Sequence, residues 1–402
     1  MDEVHGLDST GFATTHSESK LGEPKPCISS LTYGQLMREV PRKVFNNAVV
    51  GRRKWGLTEW SHLVTLVAAQ LAGMRSLRDL VGMIGQHQAT LVHLRVGQVR
   101  RTTLSDANAV RPTAPFEAVA AHLSAMVAKL SPGLGREALR LIDATRIHAG
   151  RCVHEWAVDG AIKLHVVFDP ILGGTTCFGV TSSRVNDITM AKAFPVEPGA
   201  TYVFDLGYYA FAFWAKLNAA GCRFVTRLKI NTPVSVLRNR RVPRAAAHIL
   251  KDQIVCLPQR LSSTRTNPYQ AAVRLVTVRI STGRVLMLVT NDLAAPATEI
   301  ADLYKARWEI ELFFKWIKQN LKLQRFLGSS KNAITLQIIA ALIAYLLVRL
   351  AQLRARSPLS TQAAYRLITT ALMQRRSLDA LLQPPPSPID KGPHEQLVMA
   401  LA

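Results

Sequence analysis

Tyr304–Lys322 reads YKARWEIELFFKWIKQNLK, five aromatic and seven charged residues in one short run. On an α-helix, at about 100° per residue, Tyr304, Arg307, Glu311 and Lys318 fall at roughly 0°, −60°, −20° and −40°, within one narrow stripe. Ile310, Phe313, Ile317 and Leu321 recur three or four residues apart on the other side, the spacing by which a helix anchors itself in a core. One face is expected to be buried and the other to present a carboxylate flanked by cations and a phenol. Solvated faces laced with helix salt bridges show the same charge pattern. The rest of the chain decides between the two.

The chain has 402 residues, enough for two or three domains with sizeable cores. Its 50 lysines and arginines outnumber 27 acids, for a formal net charge of +23, so a polyanion is the expected partner and nucleic acid fits best. The excess is spread along the chain and not gathered on one amphipathic helix, which argues against a membrane surface. MDEVHGLDSTGFATTHSESK has no apolar core of the kind a signal peptide carries, so the cytoplasm is the expected compartment. IIAALIAYLLV, Ile338–Val348, is about half a membrane span and is expected to be a buried helix. Five cysteines, Cys27, Cys152, Cys177, Cys222 and Cys256, show no metal-ligand spacing and read as reduced packing residues.

Residues 1–30 lack periodicity and read as a flexible tail. Residues 31–130 have helical spacing, and Leu31–Pro115 holds 12 basic against 4 acidic residues, so this part is expected to be a helical DNA-binding domain. Arg52, Arg53, Lys54, Arg75, Arg78, Arg100 and Arg101 are its candidate phosphate contacts, because such groups displace counterions from a nucleic-acid backbone. From ALRLIDATRI the pattern turns to short β-type runs. Three strands, a helix in DITMAKAF, the strand TYVFDLG, a helix in YAFAFWAKLNAAG and the strand RFVTRLKI open a mixed α/β sheet. Residues 136–230 and 298–355 are expected to form this core, and 231–292 a β-rich insertion with a hairpin turning at Gly283. A long helix capped by Thr298 should follow. Residues 356–402 read as C-terminal helices and tail, with a role in dimerisation.

Asp143 and Asp205 each follow a run of apolar strand residues. A carboxylate buried without a partner costs several kcal/mol, and a divalent metal ion shared with Glu311 would compensate both. The plainer reading is that each caps a strand or pairs with an arginine. Asp169 and Asp187 are rival ligands on spacing alone. Lys163 and His165 alternate along a strand beside them and are candidate DNA contacts.

LIDAT, VFDLGYYAF followed by GCRFVTRLKIN, and YKARWEIELFFKWIKQNLKLQRFLGSSKNAITLQI resemble the DDE transposases of the insertion-sequence-four type. That family's signature is Tyr, two residues, Arg, three residues, Glu, six residues, Lys, and Tyr304, Arg307, Glu311 and Lys318 match it without a gap. SLTYGQLMREVP, QLAGMRSLRDL and RTTLSDANAVRP are similar to the domain preceding the core in one branch of the family. The chain departs from the pattern at Leu206, where a basic residue is usual.

The resemblance implies a ribonuclease-H-like α/β core with Asp143 on the first strand, Asp205 on the fourth and Glu311 on a helix after the insertion, all three as ligands of Mg²⁺, for which Mn²⁺ could substitute. Arg307 and Lys318 would grip phosphates beside the scissile bond, Tyr304 would hydrogen-bond one, and Trp308 would stack on an unpaired base or pack in the core. Double-stranded DNA is the implied substrate: the ends of a mobile element and its target, bridged by a homodimer near the bacterial nucleoid. No nucleotide cofactor is expected, since strand transfer conserves the phosphodiester bond. A nuclease that cuts without joining and an inactive DNA-binding regulator are the alternatives.

Overall fold

The computed structural model describes residues 31–51, 56–131, 137–148, 160–242, 245–262, 264–320 and 326–383. The basic amino-terminal part forms helices Thr32–Arg38, Arg42–Ala48, Glu59–Leu71, Leu77–Gln86, Gln88–Leu91, Arg101–Val110 and Ala114–Leu130 (α1–α7). Local chemistry sets several boundaries: Thr58 and Ser76 cap α3 and α4 by accepting from the amides of Ser61 and Asp79. Between them the chain reverses at Gly73, whose φ of +63° suits glycine.

Strands Leu139–His148, Ala161–Asp169 and Gly174–Ser182 (β1–β3) form an antiparallel meander. Helix Asp187–Ala193 (α8), strand Thr201–Phe204 (β4), helix Phe211–Ala219 (α9) and strand Arg223–Arg227 (β5) follow, with β4 parallel to both β1 and β5. Among the described residues, Ser235–Asn239, Ile249–Cys256, Val273–Arg279 and Val285–Thr290 (β6–β9) complete one nine-stranded sheet in the order β3-β2-β1-β4-β5-β9-β8-β7-β6. The block expected as an insertion therefore extends the sheet, because β9 hydrogen-bonds directly to β5. Gly283, at φ +80°, turns the β8–β9 hairpin.

Ala297–Ala306 (α10), Trp308–Asn320 (α11), Lys331–Arg354 (α12), Thr361–Thr370 (α13) and Leu378–Leu382 (α14) end the described chain. Thr298 does not cap α10. Pro296 occupies that position, and the Asp292 carboxylate accepts from Ala294 and Ala295 just before it. The single helix expected across Tyr304 breaks at Arg307, where three-residue hydrogen bonds, Arg307 N to Tyr304 O and Ile310 N to Arg307 O, replace the regular ladder.

The apolar run read as about 11 residues is part of a 24-residue helix, α12, with mean hydropathy 2.1 over its most apolar window. Length and composition would let it cross a membrane, but 89% of that window is buried in the fold. α12 packs on α3, α6 and α7 on one side and joins them to the sheet. Asn332 donates to the carbonyls of Asn108 and Arg111, Tyr345 to that of Gly173, and Ser124 on α7 to that of Thr175 on β3. The amino-terminal helices and the sheet share one hydrophobic core, so they are not separable modules.

The carboxy-terminal helices also turn inward. Thr32 and Tyr33 donate to the carbonyls of Gln374 and Leu372, and Tyr365, Ile368 and Leu382 are buried. The described part of the region expected to dimerise packs on α1 and α12.

Candidate active site

β1 and β4 run parallel, with Ile142 beside Phe204, so the next residue on each, Asp143 and Asp205, emerges at the same level of the sheet. Each carboxylate is first held by its own backbone: Asp143 accepts from Ala144 N at 2.8 Å and Asp205 from Leu206 N at 2.7 Å. α11 brings in the third, anchored through buried Ile310, Phe313 and Ile317, with Phe313 against Phe168 of β2. The apolar side of the opening stretch is thus core as far as Ile317, and Arg307 and Tyr304 of its charged stripe reach Asp143 and Asp205.

Arg307 links the set. Its guanidinium bonds Glu311 at 2.6 Å and lies 3.6 Å from Asp143. Tyr304, one turn earlier, donates from its hydroxyl to Asp205 at 3.1 Å. Burial raises the Asp143 carboxyl to about 6, the charges of Glu311 and Asp205 push it further the same way, and the Ala144 amide and Arg307 offset part of the rise. Burial also raises Tyr304, with Asp205 adding to it, so its hydroxyl stays protonated and keeps the hydrogen it donates to Asp205.

Other expected residues are placed differently. Trp308 is 58% exposed, which removes core packing as its role: it lies on the outer side of the break at Arg307. Lys318 is half-buried on α11, burial lowers its pKa, and it forms no ion pair with a described residue. His165 is buried, bonded to Thr181 and held neutral by burial, its pKa lowered to about 4, so it is no DNA contact. Lys163 is taken up by Asp187 and the carbonyl of Val185, both at 2.9 Å. Asp169 is buried, paired with Arg140, and accepts from Ile171 and Leu172, which makes it a turn-forming acid. Arg75, Arg78, Arg100 and Arg101 are exposed on the helical part, whereas Arg52, Arg53 and Lys54 lie outside the described residues.

Arg227 was not singled out by sequence, yet it lies 3.5 Å from Asp205. Its signal was the β4–β5 register: Val203 beside Val225 puts Arg227 level with Asp205, which spacing alone does not reveal. Tyr208 is buried with an unpartnered hydroxyl, and its pKa is raised by burial and then by Asp143, Asp187 and Asp205, so these acids surround it.

The donor chemistry suits a hard divalent cation, with three carboxylates whose oxygens come from separate parts of the chain, close enough for Glu311 and Asp205 to raise the proton affinity of Asp143. As they stand, no group of three His, Cys, Asp or Glu among the described residues has metal-holding geometry. Arg307 occupies the space between two of the three.

Residues 135–347 match the model of the transposase DDE domain, and residues 29–95 a domain of unknown function, DUF4372. A Sinorhizobium fredii protein named as transposase y4zB is 38% identical over 289 residues, 70% of this chain and 80% of that one. A Geobacillus stearothermophilus protein named as the transposase of insertion sequence element IS5377 is 28% identical over 222 residues, 52% of this chain and 56% of that one. A piggyBac transposase, solved as a synaptic complex with hairpin DNA, aligns over 90% of this chain and 82% of its own at 11% identity and a TM-score of 0.41.

Proposed function

Because this chain belongs to the transposase DDE family and is an insertion-sequence transposase, we propose that it binds the ends of its element, cleaves a phosphodiester at each with Asp143, Asp205 and Glu311, and joins the freed strand to target DNA. The observation that carries this is the approach of three carboxylates, from β1, the end of β4 and α11, to one guanidinium and one phenol. The strand order β3-β2-β1-β4-β5, with an acid on the first strand and one after the fourth, supports a ribonuclease-H-like core. The Tyr304, Arg307, Glu311 and Lys318 spacing supports the insertion-sequence-four type.

Transposase DDE domains generally use divalent metal ions. Asp143, Asp205 and Glu311 are the residues that would hold Mg²⁺ or Mn²⁺ here. When bound, such an ion supplies Lewis acidity at the phosphoryl oxygens and charge neutralisation at the reacting ones. The chain's own groups do the positioning: Tyr304 and Arg227 fix Asp205, Arg307 and Lys318 receive phosphate oxygens, and exposed Trp308 offers a face for an unpaired base. Arg52, Arg53, Lys54, Arg75 and Arg78, from the region matching DUF4372, and Arg100 and Arg101 just beyond it supply salt-sensitive backbone contacts. Two protomers bridging the two element ends, at the nucleoid, complete the reading.

Purified protein, Mg²⁺ and a labelled duplex from the flanks of its own gene test it. Cleavage followed by joining is expected. Cleavage without joining would reduce the protein to a nuclease, and binding with neither would leave a regulator.

A further inference from the structure

A cation already sits among the carboxylates, and it belongs to the chain. Arg307 places one guanidinium nitrogen 2.6 Å from Glu311 and another 3.6 Å from Asp143, while its third nitrogen, Nε, is buried with no hydrogen-bond partner. A monovalent guanidinium and a divalent ion cannot fill the same space between two carboxylates. Arg307 holds that space in the structure, reaching Asp143 and Glu311 at once.

The residue is also mounted at a break in the helix. It stands at the junction of α10 and α11, where the helical ladder gives way to three-residue hydrogen bonds, instead of inside a regular helix. If Arg307 left, Asp143 and Glu311 would face one another unneutralised, beside Asp205, so a stronger cation must replace it. If Arg307 stays, a phosphate loses the planar, bidentate donor best suited to it.

We propose that Arg307 keeps the cation position between Asp143 and Glu311 until DNA arrives, so that metal binding and DNA binding reinforce one another. The phosphate takes the guanidinium, and the carboxylates it leaves take the divalent ion. This rests on the reading of Asp143, Asp205 and Glu311 as metal ligands in a DNA-cleaving site. Because coupling free energy is reciprocal, the ion raises DNA affinity by the same factor as DNA raises the ion's. The arrangement also keeps a nuclease centre unloaded away from its substrate.

The test is Mn²⁺ binding by the full chain, read from the free-ion electron paramagnetic resonance signal, with and without an end-sequence duplex. The Glu311→Gln protein with the same duplex serves as the baseline for ions held by DNA itself. Wild-type affinity should rise roughly tenfold or more on adding DNA. Arg307→Ala should bind Mn²⁺ without DNA about as tightly as the wild type does with it, and the DNA effect should shrink towards onefold. Should that variant not fold, Arg307→Gln, which retains a donor for Glu311 but not the charge, carries the same expectation. Weaker or unchanged DNA-free Mn²⁺ binding in a folded Arg307 variant overturns the proposal. Were Glu311→Gln to bind Mn²⁺ like the wild type, the metal site itself would be misplaced, a failure distinct from that of the Arg307 exchange.

Discussion

The hydroxyl of Tyr304 donates to Oδ1 of Asp205 at 3.1 Å, tying α10 to the end of β4 across 99 residues of sequence. This bond joins the two parts of the site that the strand pairing alone leaves independent. Tyr304→Phe keeps the buried ring and removes the donor, so folding stability should change by only about 1 kcal/mol. Asp205 would retain Leu206 N and Arg227 but lose its orientation towards α10, and cleavage should fall about tenfold by the same energetic reckoning. Unchanged cleavage would make Tyr304 a packing residue.

The Asp143 carboxyl, raised by burial to about 6, sets a pH dependence. Its folded value lies above that of an unfolded aspartate, about 3.9, so the folded protein holds this proton more tightly. In the absence of metal the resulting stabilisation is complete below about pH 4 and is lost as pH rises through about 6, an effect of order 3 kcal/mol. Urea denaturation in chelator at pH 4.5 and 7.5 should show Asp143→Asn lacking this part of the dependence. An identical pH profile in that variant would contradict the assigned burial.

Arg274 and Asp252 are both almost fully buried and joined by two bonds of 2.8 Å, and Arg274 also reaches the carbonyl of Ala295 just before α10. The pair fastens β7 and β8 to the helix that carries Tyr304. Arg274→Met should cost about 3–5 kcal/mol, because it leaves the buried Asp252 carboxylate with Arg240 at 3.5 Å in place of two short bonds. Replacing Asp252 with Leu as well should recover much of that, measured by chemical denaturation. No recovery in the double variant would place the cost elsewhere.

α12 makes the amino-terminal helices and the sheet one cooperative unit. Leu346→Ala, at a fully buried position facing Gly174, should cost about 2–5 kcal/mol and shift a single unfolding transition. Removing residues 31–115 should yield an insoluble remainder, not a free-standing core, because it bares the faces of α12 that cover α3 and α6. Removing 357–402 should likewise unseat α1, which hydrogen-bonds Gln374 and Leu372. A soluble, cooperatively folding remainder in either case would show that the shared core is dispensable.

Periodicity and spacing made much of this legible. The charged and apolar stripes of 304–318, the three-strand opening and the Gly283 hairpin all follow from short-range chemistry, which leaves its mark in a single run of residues. What sequence could not supply was mostly long-range. Arg227 became a neighbour of Asp205 only through a parallel register, and β6–β9 joined the main sheet only because β9 found β5. Asp169 and His165 looked functional because each is a polar residue in an apolar strand, and each proved to bond a partner distant in sequence, Arg140 or Thr181. The break at Arg307 is invisible in helix propensity, yet it sets how the guanidinium reaches the carboxylates.

The most direct test compares Glu311→Gln with Glu309→Gln, two residues apart on α11. Glu309 is exposed, and about 200° around the helix it points away from Asp143 and Asp205. Cleavage of a labelled element end in Mg²⁺ should drop by several orders of magnitude in Glu311→Gln, with DNA binding retained, and should stay near wild type in Glu309→Gln. An active Glu311→Gln beside an inactive Glu309→Gln would contradict both the helix register and the assignment of the three carboxylates.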